Sequence, residues 1–435
     1  MASVRKRKWT HNGEEKTAWI VAYTDQTGKR RVKTFERKKD ADGHRQRVEQ
    51  EIGQGIHTAE RDTLTFRTAA EHFIGDCERR HRIGDRMSGQ TVDMYRRYIV
   101  RYLFPAYGAM KLTEITTRMV QDLCDRKTLE YSIATVGKIH DLTFVVLDFA
   151  VMKGWIRRNV LKDIRVRLPR APKKRVRIPS KEELVKLLQV AHDGLENASF
   201  LATVNRRGLV CLGAFCGLRI GEIFGLQWSN VDFDRNMIRV RHSLSQFDGL
   251  KAPKTAAGVR DVPMSSPVRF ALSEIVRYWQ TAEEAGFTDA NAPDYDSAKT
   301  RMRRMWLGRR VQPDLSKLPG DFVMQSQLRK PYQTTNGGRD LWRPLMVAAE
   351  LMDGDDVLFT VHALRHAAAS LFIENGLPAM NIQRLMGHAS VTMTFDVYGH
   401  LFPDDDRDSV AAHAVASGLL RDKIQDFSGK PLISP

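Results

Sequence analysis

The spacing of apolar positions changes several times along the chain, and each change predicts a different kind of element. Near the start, Trp19-Ile20-Val21-Ala22-Tyr23 is a strand-like run. Asn12-Gly13 before it is a hairpin signal and Thr27-Gly28 after it makes a second turn. Arg31 to Phe35 then alternates polar and apolar, and Lys39 to Ile52 reads as a polar helix. From residue 63 the period becomes helical. Phe66, Ala69, Ala70, Phe73 and Cys77 form one stripe; Val92, Tyr95, Ile99, Tyr102 and Leu103 form another. Pro105 and Gly108 are expected to break the chain there. Val120, Leu123 and Cys124 mark a short third helix. Val136, Ile139, Thr143, Val146, Leu147 and Ala150 mark a longer fourth.

Past Ile178 helices and strands mix. Pro179-Ser180-x-x-Glu183 is a capping box, followed by Leu184, Leu187, Leu188 and Ala191 at helical spacing. Arg206 to Cys216 predicts a second helix stopped at Gly217, and Arg219 opens a third piece to Trp228. Met237 to His242 and Val259 to Met264 alternate like strands, joined by a long loop that holds Lys251 and Lys254. Ser266-Pro267 begins a helix to about Ala285. Asp289 to Gln325 is polar and basic with no clear period, and reads as an elaboration. Trp342 to Leu351 is helical again and Val357 to Thr360 strand-like. The stretch Val361 to Phe402 predicts three helices. His362 and Arg365, three apart, share a face of the first, which Gly376 stops. The second, about Met380 to Met386, ends at Gly387. Ser390 is expected to cap the third, with Tyr398 at or just past its end. The predicted fold class is mainly α with small β-sheets, in several domains. They are a small α+β module (1–62), a helical domain (63–156), a linker (157–177), a mixed α/β domain (178–403) and a mixed-charge tail (404–435).

Charge sharpens this picture. The 435 residues include 69 Lys and Arg against 52 Asp and Glu, a formal +17. So basic a chain usually meets a polyanion. A membrane surface is the rival, but no long apolar run exists, and Met1 to Lys8 is basic without an apolar core after it, so no signal peptide is expected. Arg157 to Arg177 holds ten basic residues and one acid, Asp163, with Pro169 and Pro172. Arg157, Arg158, Arg165, Arg167, Lys173, Lys174 and Arg175 are the candidate DNA contacts of this linker, since so many cations repel unless phosphates neutralise them. Outward-facing Arg79, Arg80, Arg82, Arg86, Arg96, Arg97 and Arg101 are further candidates, although a charge run is more often a solvated face. Cys77, Cys124, Cys211 and Cys216 are scattered in apolar settings, as small buried hydrophobes of a reducing compartment.

The last stretch carries the chemistry. His362-x-x-Arg365-His366, then Leu385-Met386-Gly387-His388, then Tyr398-Gly399-His400, preceded by Gly217-Leu218-Arg219-Ile220-Gly221-Glu222, resembles the tyrosine recombinases, the phage-integrase family. The resemblance is tight over about 180–265 and 340–402, looser in the helical domain, and weakest at the N-terminus and in 289–325. It implies an arm-DNA-binding module at 1–62, where 15 basic residues meet 10 acidic ones, a core-DNA-binding domain at 63–156 and a catalytic domain at 178–403. It also implies double-stranded DNA attachment sites as substrate, a homotetramer on DNA, an excisionase and a DNA-bending protein as further partners, and a bacterial cytoplasmic setting. The tail would dock on a neighbouring protomer.

Cutting a phosphodiester requires a nucleophile, a leaving oxygen and neutralisation of developing negative charge. Clustered carboxylates for a two-metal site are missing near these motifs. Arg219, Lys254, His362, Arg365, His388 and Tyr398 offer a cationic set instead, suited to metal-free and ATP-free stabilisation of a pentavalent phosphorus. Tyr398 is the expected nucleophile; about one phenol in a thousand is ionised at neutral pH, so a base is needed. His362 is the expected base, Lys254 the acid on the leaving 5′ oxygen, and His388 a hydrogen-bond donor to the phosphate. The product would be a 3′-phosphotyrosyl enzyme that a partner strand can reseal. Rival roles stay open. Arg219 could merely pair with Glu222, Lys251 competes with Lys254, and His366 and His400 read as structural. A zinc hydrolase would use the His362/His366 spacing, but Ala363 stands where the metalloprotease pattern requires Glu. A catalytically silent DNA-binding regulator on the same fold is a further rival, against which the presence of all six residues argues, and a DNA-relaxing enzyme would use the same tyrosine chemistry.

Overall fold

The computed structural model describes residues 2–11, 14–25, 28–54, 63–163, 166–169, 177–196, 198–253, 255–287, 295–309, 311–318 and 320–402. The chain divides into two units, Met1–Lys174 and Arg175–Pro435. In the first, β1 (Ser3–His11), β2 (Glu14–Thr24) and β3 (Arg30–Phe35) form an antiparallel sheet in chain order. His11 pairs with Glu14 and Trp19 with Phe35; the expected turn at Asn12-Gly13 lies outside the described residues, as does Thr27. α1 (Lys38–Gly53) covers the sheet, burying Ala41 and Val48 against Val21 and Tyr23. Lys6 and Lys38 both lie over the Trp19 ring, at 5.9 and 5.5 Å from its centroid.

The helical part of this unit begins with α2 (Phe66–Arg82) and α3 (Gly89–Tyr98), capped by the hydroxyls of Thr65 and Ser88. Pro105 does not break the chain as expected. The helix passes through a π turn at Ile99–Leu103 into α4 (Phe104–Tyr107), with Pro105 in the first turn of that last piece. Proline lacks the N–H for an α-type bond, and the preceding turn has already left the α ladder, so little is lost. α5 (Thr117–Thr128), α6 (Ile133–Met152) and α7 (Val160–Asp163) complete the unit. The predicted stripes meet in one core around Phe66, Leu103, Ile139 and Leu147. Four of the outward arginines are engaged by acids of their own unit: Arg79 with Asp76, Arg80 with Asp85, Arg96 with Glu78 and Arg97 with Asp93. Such exposed pairs contribute little to stability. Arg157, Arg158 and Arg167 are exposed; Arg165, Lys173, Lys174 and Arg175 lie outside the described residues.

The second unit opens with α8 (Lys181–Asp193), where the predicted capping box forms: the Ser180 hydroxyl accepts from the Glu183 amide at 3.2 Å and the Glu183 carboxylate from the Ser180 amide at 2.8 Å. α9 (Phe200–Cys216) is apolar on nearly every side and is therefore central, packed by α8 and by α11 (Ser266–Glu284). The piece expected from Arg219 to Trp228 is shorter, α10 (Ile220–Phe224), because Gly225 ends it; a separate turn follows at Trp228–Asn230. β4 (Val231–Asp232), β5 (Met237–Val240) and β8 (Arg260–Pro263) form an antiparallel sheet. The loop expected between the two predicted strands contains a hairpin, β6 (Ser243–Ser245) with β7 (Gly249–Lys251).

The aperiodic elaboration contains a helix, α12 (Tyr295–Leu307). Its apolar stripe is narrow: Ala298 and Met302 are buried and Met305 and Trp306 half-buried, while the rest is polar. The Arg277 guanidinium stacks on Trp306 at 3.7 Å. α13 (Thr334–Gly337), a π turn at Gly338–Trp342 and α14 (Arg343–Ala348) follow, then a two-stranded ladder of β9 (Met352–Asp353) and β10 (Asp356–Val357). The chain ends its described course in α15 (His362–Glu374), α16 (Ala379–Met386) and α17 (Val391–Tyr398). These three share a small core of Ala369, Ile373, Ile382, Met386 and Tyr398, separate from the main one. All four cysteines are buried thiols, and burial pushes each up, Cys216 to about 12.

Candidate active site

α16 ends because Gly387 takes the left-handed conformation, φ 63°. That turn leaves carbonyls without helical partners, at the negative end of the helix. Three arginines from three elements fill the need. Arg260 donates through Nε to the Leu385 carbonyl at 2.6 Å, Arg365 through Nη2 to the Met386 carbonyl, and Arg219 through Nη2 to the Gly387 carbonyl at 3.2 Å. Three consecutive carbonyls thus gather three cations from positions far apart in the chain. Arg365 also donates to the carbonyl of Gly217, itself a left-handed glycine, at 2.5 Å. The Gly-Leu-Arg and Leu-Met-Gly-His motifs are joined by these bonds.

Glu222 offsets one of these three charges. Its carboxylate accepts from Arg260 at 2.8 and 3.2 Å, and from the Arg219 guanidinium and amide at 2.8 and 3.0 Å. Burial alone would raise this carboxyl; the hydrogen bonds and charge of Arg260, and the charge of Arg219, outweigh it and hold the group below its ordinary value. The pairing of Arg219 with Glu222, expected as a rival role, is real and coexists with the cluster. Burial pushes Arg365 down to about 9, helped by Arg219, and it remains cationic at neutral pH.

Gly387 also has no room for a side chain. A Cβ there would lie 2.9 Å from the Ala257 carbonyl and 3.0 Å from Arg260 Nη1. Gly387→Ala is expected to lower stability by about 1–3 kcal/mol, from left-handed strain plus this clash. Denaturant melts check it, and an unchanged midpoint would count against the arrangement.

The aromatic side of the site is built from α15 and α17. His362, Arg365 and His366 project from adjacent turns of α15. Tyr398, the last residue of α17, is buried, and its hydroxyl lies 2.6 Å from His366 Nδ1. Its ring stacks on His388, with centroids 6.5 Å apart. His388 in turn meets the Thr394 hydroxyl through Nδ1 at 2.9 Å. Ser390 occupies the cap position of α17 but makes no side-chain capping bond, contrary to expectation; Thr394 anchors the first turn of that helix on His388 instead. His362, the expected base, meets the edge of the His366 ring at 4.8 Å between centroids, while the Tyr398 hydroxyl is on His366. His366, read as structural from its sequence position, therefore stands at the phenol. Lys254 lies outside the described residues. Its competitor Lys251 is ion-paired with Asp248.

Exposure is graded across the site. Arg219 keeps 38% of its side chain open and His362 is exposed, whereas Arg365 and Tyr398 lie beneath. Loss of water beside the protein, then Arg365 and Arg219, lowers His362. Burial, then His362 and Arg365, takes His366 down to about 4; burial, then Arg365 and Arg219, takes His388 to about 4. Burial raises Tyr398 to about 12 against the pull of Arg365 and Arg219. A histidine depressed on folding favours the native state fully above its unfolded pKa of about 6.5, and that contribution is lost as pH falls toward the folded value. The thermal midpoint is therefore expected to fall between pH 6.5 and 4. His388→Gln should flatten that slope in melts taken across the range.

Among the described residues no cluster of three metal-ligating side chains occurs, and no helix is long and apolar enough to cross a membrane. The model of the phage integrase family matches residues 179–404, and that of the phage integrase central domain matches 66–167. Relatives include a tyrosine recombinase XerC-like protein of Caldanaerobacter subterraneus, 22% identical over 73% of this chain and 74% of its own length. The ICEBs1 integrase of Bacillus subtilis is 25% identical over 72% and 74%. Among solved structures, the Tn1549 transposon integrase with a circular intermediate DNA superposes with a TM-score of 0.56 at 18% identity, over 81% of this chain and 99% of that one. A lambda integrase dimer bound to a core site gives 0.51 at 17%, over 92% and 95%.

Proposed function

This chain belongs to the phage integrase family and is a site-specific DNA recombinase, and we propose that Tyr398 is its nucleophile, with Arg219, Lys254, His362, Arg365 and His388 around the scissile phosphate. One observation carries this reading: the guanidiniums of Arg365 and Arg219 sit on the adjacent carbonyls of Met386 and Gly387, and Tyr398 stacks on the next residue, His388. Two planar forks side by side suit two non-bridging oxygens. Arg219 and His362, the open members, meet the phosphate first; His388 supplies a further hydrogen bond. Tyr398 Oη attacks phosphorus in line, the 5′ oxygen leaves with a proton from Lys254, and a 3′-phosphotyrosyl link conserves the bond for rejoining.

The remaining assignments follow from the same reading. Residues 1–62 grip arm-type sites, 63–156 the core site, and the linker 157–177 runs along the duplex. The catalytic domain is 178–403, and the tail 404–435 docks on a neighbouring protomer. The substrate is a pair of double-stranded attachment sites of a phage or mobile element, bound by a homotetramer. An excisionase and a bending protein set direction. Neither metal nor ATP is required.

A duplex nicked so that the short cleaved strand diffuses away tests the reading. The wild-type protein should accumulate a covalent complex, with the adduct mapping to Tyr398 and its yield unchanged by a chelator. An adduct elsewhere, or a yield abolished by the chelator and restored by zinc, would overturn it.

A further inference from the structure

Tyr398 is buried, and its hydroxyl meets a ring nitrogen of His366. At 2.6 Å this Nδ1 contact is short for a neutral hydrogen bond. The ring is fixed from two sides: α15 carries it, and His362 meets it edge-on at 4.8 Å between centroids. Facing it are His362 and Arg365 from its own helix, Tyr398 from α17, and His388 from the turn before that helix. Among the described residues no carboxylate is one of these neighbours, and they disfavour the imidazolium before negative charge arrives with the phosphate.

Resting on the reading of Tyr398 as nucleophile, we infer that His366 is the catalytic base of the cleavage step and the acid of rejoining. The Oη–H bond of Tyr398 breaks as its proton passes to His366 Nδ1. The Oη–P bond forms, the P–O5′ bond breaks, and O5′ leaves as a hydroxyl with the proton of the general acid. With Nδ1 accepting, the ground-state imidazole carries its proton on Nε2; after cleavage it is an imidazolium beside the phosphotyrosyl group. In rejoining, the incoming 5′ hydroxyl returns its proton to the general acid as the O5′–P bond forms, the Oη–P bond breaks, and the departing phenolate takes the Nδ1 proton back. The buried surroundings keep His366 neutral, hence able to accept, through the physiological range. The general-base step is worth about 10²–10⁴ in rate.

Single-turnover cleavage of the nicked duplex tests this with His366→Asn, which keeps a hydrogen-bonding atom near Nδ1 but cannot take the proton, and with His366→Ala. A duplex with sulfur in place of the 5′ bridging oxygen is run alongside, since a thiolate leaves without an acid. Both variants should bind DNA normally and cleave about 10²–10⁴-fold more slowly on either duplex. Their rates should rise with pH, because the phenol must then ionise unaided, while the wild type stays level between pH 6 and 8. Rates within threefold of wild type, faster cleavage, or full rescue by the sulfur-bridged duplex would overturn the assignment. Nitrogen NMR of the wild-type histidines supplies a measurement independent of variant folding. One Nδ1 signal should report an accepted hydrogen bond and shift in Tyr398→Phe; no such signal would also overturn it. Wild-type capture on Tyr398 is scored separately, so failure of the nucleophile assignment and failure of the base assignment give different results.

Discussion

Tyr398→Phe will abolish covalent capture of DNA while leaving duplex binding within a few fold of wild type. The change removes one oxygen. The ring stays in the small core with Ala369, Ile373, Ile382 and Met386, and against His388. The lost hydrogen bond to His366 costs about 0.5–1.5 kcal/mol, so the fold survives. The chemistry has no substitute. Losing the nucleophile of an enzyme that works through a covalent intermediate costs on the order of 10⁴–10⁶ in rate. In a denaturing gel of nicked-duplex reactions, the shifted band should vanish, and a mobility-shift titration should barely move. The pair of outcomes also decides between a recombinase and a silent DNA-binding regulator: in the latter, wild type and variant would both lack the band. Residual capture by the variant would place the nucleophile elsewhere. Tyr332, the preceding tyrosine in the chain, is buried in the main core rather than on the arginine cluster.

How much of the fold and site is legible in the sequence depends on whether the determining partner is local. Gly217 and Gly387 are readable as helix stops because a left-handed residue ends a helix whatever surrounds it. The capping box at Ser180 and Glu183 is equally local. Pro105 misleads, since the π turn that accommodates it has no marker in the apolar period. The β6–β7 hairpin is too short to show alternation, and the two buried residues of α12 are diluted by surrounding cations. In the site, the motifs bring Arg219, Arg365, His388 and Tyr398 into view. What they cannot reveal is which ring meets the phenol. His362 and His366 share one helix face, and the choice between them is made by where α17 returns, 32 residues later. The depth of Arg260 is hidden for the same reason: its partners are Glu222 and the Leu385 carbonyl, 38 and 125 positions away.

That hidden pair gives the largest expected effect on stability. Glu222→Ala should lower the unfolding free energy by about 3–5 kcal/mol, because Arg260 would be left buried with its charge uncompensated. Only 3% and 2% of the two side chains remain open, so water cannot replace the lost carboxylate. Arg219 loses its tether at the same time, and cleavage should fall in step. Glu222→Gln keeps shape and one acceptor oxygen and should cost less. Replacing both partners, Glu222→Gln with Arg260→Met, should recover part of the loss, since the penalty arises from the orphaned charge more than from the missing attraction. The pH dependence has a definite sign. The carboxyl is held below its ordinary value on folding, so its contribution is complete above about pH 4.3 and disappears as pH falls through the lower folded value. The stability gap between wild type and Glu222→Gln should therefore be constant near neutrality and close in acid. Denaturant melts at several pH values measure it. A Glu222→Ala protein within 1 kcal/mol of wild type would mean that Arg260 finds another counter-charge, and that the cluster on the Leu385–Gly387 turn is held together by the carbonyls alone.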